Sequence, residues 1–252
     1  MNNGNSNGND LQGKVVMITG AGKGLGAAIA QAFGRAGSCL VCLDVDGAAV
    51  ESMCDELAEQ GIESTASICN VSDEKDVARA VQEAVDQYGR IDVVVNNAAI
   101  DCTAPVDEMS VEDWDRVVGV NLRGPFLMAH TVLPVMKKQQ GGHIINVSST
   151  AAKRAWANAS AYHASKWGLI GFSRGLGVEG RPYNIRVTTV VPGGMKTHFF
   201  DRFEEEGIPM PKEENLQDPA NVAEAIVFAA RMPAQSVVQE IMVTPLTETS
   251  WP

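Results

Sequence analysis

Tyr162 and Lys166 stand four residues apart in a stretch of helical character, Ala159 to Val178, so their side chains project from one helix face and can act together. A free tyrosine holds its proton until about pH 10, but an ammonium group beside it favours the phenolate. The pairing therefore turns a phenol into an acid or base usable near neutrality. Ser149 follows the strand-like run His143-Ile144-Ile145-Asn146-Val147-Ser148, where a hydroxyl at the carboxyl edge of a sheet can donate a hydrogen bond to a substrate oxygen. The three groups could meet a single carbonyl oxygen.

A Tyr-x-x-x-Lys spacing is common on solvated helix faces, so its surroundings decide what it means. Near the amino terminus the apolar run Val15-Val16-Met17-Ile18 leads into Thr19-Gly20-Ala21-Gly22-Lys23-Gly24-Leu25-Gly26, and a helical pattern begins near Ala27. Strand, glycine turn and helix, in that order, let backbone approach a pyrophosphate at a helix amino terminus, where unpaired N–H groups carry partial positive charge. Gly20, Gly24 and Gly26 are the glycines assigned to that approach; a structureless glycine loop is the plain alternative. About twenty residues on, Leu43-Asp44-Val45-Asp46 ends a second strand, and the Asp44 carboxylate can accept hydrogen bonds from both ribose hydroxyls of an adenosine. Otherwise Asp44 is a solvated strand-end acid.

Taken with Asn96-Asn97-Ala98-Ala99, Asn121 and Pro192-Gly193-x-x-x-Thr197, these segments resemble the short-chain dehydrogenase/reductase family, in order and over nearly the whole chain from about Gly13 to Val243. The resemblance implies that Lys166 holds the nicotinamide ribose and that Asn121 holds a water linking Lys166 to solvent. It extends the cofactor-binding set to Lys23, Leu25, Asn70, Val71, Asn97, Ala98, Pro192, Gly193 and Thr197. Thr197 would touch the nicotinamide carboxamide or a phosphate. Asn70 stands where the family has an aspartate near the adenine, so an acceptor oxygen is kept and a charge lost. Ala99 replaces a frequent glycine, and Asn96 or Asn97 could equally be turn formers. The family's terminal glycine pair is missing after Glu240-Ile241-Met242-Val243.

The 252 residues, 45% of them hydrophobic, fit one large α/β domain. A formal charge of −11 and pI near 4.8 argue against a nucleic-acid partner. No apolar run reaches the roughly 18 residues of a membrane span, and the amino terminus lacks signal-peptide character, so a cytoplasmic location is expected. The five cysteines read as reduced and mostly buried, and period-2 alternation sends Cys39 and Cys42 to opposite faces of one strand, against a redox or zinc role. His130, His143, His163 and His198 show no metal-ligand spacing, so no metal is expected.

Strands near 14–19, 38–44, 63–69, 91–96, 143–148 and 184–191 alternate with helices, which predicts a Rossmann-like doubly wound α/β fold, a mostly parallel sheet of six to seven strands with helices on both faces. Residues 1–10, rich in Asn, Gly and Ser, read as a disordered tail, and 11–252 as a single domain. Residues 197–217, aromatic and acidic, suit a substrate lid or a permanently packed surface excursion. Between 110 and 138 lies a long amphipathic segment capped by Ser110 and containing Asn121. The stripe Ala164, Gly168, Gly171 and Gly175, opposite Tyr162, Lys166 and Ser173, admits close approach of another backbone: a second subunit in a homodimer or homotetramer, or a helix of the same chain.

These expectations amount to an oxidoreductase moving a hydride between a nicotinamide cofactor and a secondary alcohol or ketone. NAD is expected over NADP, because Asp44 would repel a 2′-phosphate that Lys23 would attract. The alternatives are an NADPH-dependent 3-oxoacyl or other carbonyl reductase and, from another class, a nucleotide-sensing regulator. The mark of the regulator would be loss of Tyr162 or Lys166, and both are present.

Overall fold

The computed structural model describes residues 11–201 and 212–248. The expected tail at 1–10 and the middle of the expected lid, 202–211, lie outside the described residues. Seven strands form one sheet, all parallel: β1 Val15–Thr19, β2 Cys39–Asp44, β3 Ser64–Ile68, β4 Val93–Asn96, β5 Gly142–Val147, β6 Ile185–Pro192 and β7 Glu240–Val243, in the order β3-β2-β1-β4-β5-β6-β7.

Helices cover both faces: α1 Gly24–Arg35, α2 Gly47–Glu59, α3 Glu74–Tyr88, α4 Val111–Val118, α5 Gly124–Gln139, α6 Ser160–Gly180 and α7 Pro219–Ala230. Alternation along each strand divides the core. Val16, Ile18, Leu40 and Cys42 pack with α1, α2 and α7, whereas Val15, Met17, Val41 and Leu43 pack with α3, α5 and α6. Both faces are dry, which is why these strands read as continuous apolar runs rather than alternating ones. Side-chain caps set where helices start: Asp46, Asp73, Ser110 and Asp218 each accept N–H groups of the first turn, contributing about 1 kcal/mol apiece.

The sheet order carries the functional consequence. The chain winds from β1 outward through β2 to β3, then returns to the other side of β1 for β4, so the crossovers diverge between β1 and β4. In a sheet wound this way the ligand crevice belongs at the carboxyl ends of those two strands. The turn after β1 and the segment after β4 are its walls.

The segment expected as one helix over 110–138 is two helices joined by a π-helical turn, Gly119–Arg123, containing Asn121. The extra residue in that turn carries Asn121 to a place that an unbroken α-helix starting at Ser110 would not give it. Cys42 and Cys69 are buried, but Cys39, Cys54 and Cys102 are only partly so, which corrects the expectation of a mostly buried set. Among the described residues, no helix is long and apolar enough to cross a membrane.

Candidate active site

The glycine turn is built by close approach. Gly20 and Gly24 have φ of 65° and 59°, left-handed values that a side chain disfavours. A Cβ at Gly26 would overlap the Gly20 carbonyl oxygen, and one at Gly20 would stand 2.9 Å from Ala98 Cα. Asn97 fastens the turn from across the crevice: its Nδ2 donates to the carbonyls of Thr19 (3.0 Å) and Gly20 (3.1 Å). Thr19 Oγ1 returns the bond by accepting from the backbone N–H groups of Asn97 and Ala98, each at 3.0 Å. Asn97 is thus a brace between β1 and β4 and not merely a turn former. Asn96 turns inward, donating to Asn146 Oδ1 at 2.8 Å, while Asn146 donates to Ser173 on α6 at 2.8 Å.

Asp44 ends β2 beside this turn. Its Oδ2 accepts the Gly22 N–H at 2.9 Å and its Oδ1 that of Asp46 at 3.1 Å, which aims the carboxylate along the rim of the crevice. Lys23 is exposed at the start of α1, and Leu25 is buried in the core beneath the turn. Thr197 reaches Gly24 from the opposite side, since a Cβ on Gly24 would lie 3.4 Å from Thr197 Cβ. Asn70 is exposed, its Oδ1 accepting the N–H (3.1 Å) and hydroxyl (2.8 Å) of Ser72, and Val71 is buried against Gly124. Pro192 closes β6, and the Gly193 N–H donates to Val243 at 2.9 Å.

Tyr162 and Lys166 are both buried, 8% and 2% exposed, on the face of α6 turned to the sheet. The Lys166 ammonium lies 5.6 Å from the centre of the Tyr162 ring and donates to the Val147 carbonyl at 2.9 Å. Burial pushes Lys166 down from 10.5 to about 7, opposed by the nearby Asp101 carboxylate. An ammonium at this depth is costly, and a phenolate alongside would favour it. Ser149 lies past the end of β5, capping the short turn Thr150–Ala152 with its Oγ accepting the Ala151 N–H at 3.1 Å. Ala151 in turn packs on Tyr162 together with Phe199, whose ring centre is 5.6 Å from that of Tyr162.

Asn121 is fully buried, and its amide is committed: Oδ1 accepts the Ile100 N–H at 2.8 Å, and Nδ2 donates to the Ile100 carbonyl at 2.7 Å and to Ser165 Oγ at 3.1 Å. It ties the segment after β4 to α6 between Tyr162 and Lys166. Sequence reasoning missed Ile100, Asp101 and Ser165, though Ser165 follows Tyr162 at helical spacing and could have been found. It also missed the ion pair of Arg154 with Glu248 at 2.5 Å, which lays the carboxyl-terminal segment against Gly193. No local pattern foretells a partner 94 residues away.

The site suits a dinucleotide on structural grounds: glycines that let the turn close tightly on β4, a helix amino terminus behind them, and a carboxylate at the end of β2. One sheet edge therefore gathers a glycine turn, a strand-end acid, a serine turn and a buried Tyr–Lys pair. A family pattern described as short chain dehydrogenase matches residues 14–207. An uncharacterized oxidoreductase of Thermotoga maritima is 39% identical over 187 residues, 74% of this chain and 73% of that one. A metagenomic short-chain oxidoreductase solved with NADP superposes with a TM-score of 0.83 at 31% identity, covering 95% of this chain and all (100%) of that one. The 3-ketoacyl-(acyl-carrier-protein) reductase of Brucella melitensis, solved with NADH, gives 0.82 at 33% identity over 92% and 97%. With the same elements in the same order on the same sheet, this chain is a member of the short-chain dehydrogenase/reductase family.

Proposed function

We propose that this chain is an NAD(H)-dependent oxidoreductase acting on a secondary alcohol or ketone. The observation that carries the reading is the buried Tyr162–Lys166 pair on α6, set against the Ser149 turn and beside the glycine crevice. The nicotinamide ring supplies the hydride acceptor or donor. Gly20, Gly24, Gly26 and Asp44 would hold the adenosine and pyrophosphate side of the cofactor, and Lys166, Pro192, Gly193 and Thr197 its nicotinamide side.

In the oxidation direction Tyr162 Oη takes the hydroxyl proton, Ser149 Oγ donates to the substrate oxygen, and Lys166 shifts the tyrosine towards phenolate. General acid–base assistance of this kind contributes about 10²–10⁴ in rate. The Val147 carbonyl accepts a hydrogen bond from one Lys166 Nζ–H, which orients the ammonium and leaves its other N–H groups for ribose hydroxyls. Asn121, through Ile100 and Ser165, keeps the helix seated while protons move.

NAD preference rests on Asp44, whose carboxylate would face the 2′-phosphate of NADP with like charge, while the exposed Lys23 can swing into solvent. Structural neighbours carry either cofactor, so the choice belongs to these side chains and not to the fold. Likeness to the Brucella reductase supports a second reading of the substrate, reduction of a 3-oxoacyl group, and the neighbour solved with NADP keeps NADPH open as its cofactor. A panel of secondary alcohols, ketones and a 3-oxoacyl thioester, run with each cofactor and followed by absorbance of the reduced nicotinamide, tests both. Absence of turnover across the panel would overturn them.

A further inference from the structure

Two consecutive basic residues leave the serine turn. Lys153 and Arg154 each donate a backbone N–H back to Thr150, at 2.9 and 3.1 Å, and send their side chains across to the last strand and the segment after it. Lys153 pairs with Glu240 at the start of β7, and Arg154 pairs with Glu248 beyond its end. The pairs differ in depth. Lys153 and Glu240 are both partly open to solvent, whereas the Glu248 side chain is only 7% exposed beside 35% for Arg154. An ion pair in reach of water contributes little, but a buried carboxylate depends on its counter-charge.

Glu248 Oε1 accepts from Arg154 at 2.5 Å, while Oε2 is buried and takes no hydrogen bond among the described residues. That second oxygen rests on Gly193, where a Cβ would collide with it; the same Cβ would stand 2.9 Å from Pro245 Cδ and 3.2 Å from Thr244 Cα. Backbone continues the contact. The Gly193 N–H donates to the Val243 carbonyl, which also accepts from Gln217 Nε2 at 2.8 Å. A second side-chain tether of this segment, from Thr247 to the Glu214 carbonyl, lies at the surface. Residues 243–248 therefore form the backing of the turn that follows β6.

We propose that Arg154 is a positioning residue for the nicotinamide side of the site, holding residues 244–248 against Gly193 by neutralising the Glu248 carboxylate. The argument is an asymmetry of charge. Without Arg154 the carboxylate keeps its charge where no other donor among the described residues reaches it, so it moves to water and the segment lifts from Gly193 with it. Without the Glu248 charge the guanidinium, already partly exposed, turns to solvent at small cost. Replacing both by apolar side chains of similar length leaves no charge to expel. Because β5 and β6 are neighbours, the pair also joins the turns at their ends, that of Ser149 and that of Gly193, into one unit.

The affinity consequence rests on the assignment of Gly193 to the cofactor made above; the clamp itself does not. Amide hydrogen exchange and NAD titration are run on the wild type, Arg154→Met, Glu248→Met, the double variant of those two, and Lys153→Met. Arg154→Met should exchange faster over 192–194 and 243–248 and bind NAD about tenfold more weakly. Glu248→Met should move both readouts less, and adding it to Arg154→Met should restore both towards wild type, the reverse of what two independent losses would give. Lys153→Met should change neither. Unchanged exchange over 243–248 in Arg154→Met overturns the proposal, as does a double variant no tighter than Arg154→Met or an equal effect from Lys153→Met. A loosened segment with unchanged NAD affinity overturns it too. If the wild type binds neither NAD nor NADP, the cofactor reading falls instead, and exchange in the single and double variants still decides the clamp.

Discussion

Lys166 Nζ stands 5.6 Å from the Tyr162 ring centre while its hydrogen bond goes to the Val147 carbonyl, so the ammonium is tied to the end of β5 and held beside the phenol. A tether to backbone fixes the charge in place without neutralising it. The acid–base role proposed for Tyr162 calls for such a group held beside its ring.

Tyr162→Phe keeps the ring packed on Ala151 and Phe199 and deletes only the ionisable oxygen. Turnover should fall by about 10²–10⁴ with the NAD dissociation constant close to unchanged. Steady-state kinetics and a binding titration measure the two separately, and retention of more than about a tenth of the turnover would remove Tyr162 from the role.

Burial holds Lys166 at about 7, down from 10.5, so between those values the unfolded chain carries a proton that the folded chain does not. Stability contributed at this residue therefore rises with pH across that window. Against Lys166→Met, the wild type should gain about 3 kcal/mol between roughly pH 7 and pH 10 without cofactor. Urea unfolding of both proteins across that range is the measurement, and parallel pH profiles would contradict the burial argument.

With Asp44 aimed along the crevice rim, kcat/KM with NAD should exceed that with NADP at least about tenfold, the effect of a like charge against a phosphate. Asp44→Ala should shrink that ratio, mostly by raising the KM for NAD. Equal values for both cofactors in the wild type would sink the assignment.

Removing the Asn121 amide strands the N–H and carbonyl of Ile100 and takes a donor from the Ser165 hydroxyl, which still donates to the Tyr162 carbonyl at 2.8 Å. Asn121→Leu should cost about 1–3 kcal/mol, read from the denaturation midpoint, because a shape-similar apolar side chain leaves both Ile100 groups unpaired. A midpoint unchanged from wild type would show that Asn121 does not hold the two segments together.

The stripe on α6 is open where it was expected to meet a neighbour: Cβ atoms at Gly171 and Gly175 would find nothing within 4 Å, and only Gly168 faces its own chain, at Leu122. Phe126 on α5 and Trp167 on α6 are 48% and 54% exposed. We expect a homo-oligomer joined through this face, with Gly171→Glu shifting it to smaller species in light scattering at unchanged far-UV dichroism. A wild type that is monomeric at micromolar concentration would dispose of the idea.

Local chemistry made much of this protein legible without coordinates. The apolar strand runs, the cap at Ser110, the glycine turn and the four-residue step from Tyr162 to Lys166 all follow from backbone geometry over a few residues, so the parallel fold and the crevice-lining motifs could be read directly. What the tertiary structure alone decided are relationships between groups far apart in sequence. Asn97 became the brace of the glycine turn because the switch of strand order puts β4 beside β1. Asn121 sits in a π turn that brings its amide to Ile100 and Ser165, partners that lie 21 and 44 residues away in sequence. Lys166 lost part of its hold on a proton to burial among residues brought from other parts of the chain. Desolvation and side-chain contact depend on what the rest of the chain brings to a point in space, and no periodicity encodes that.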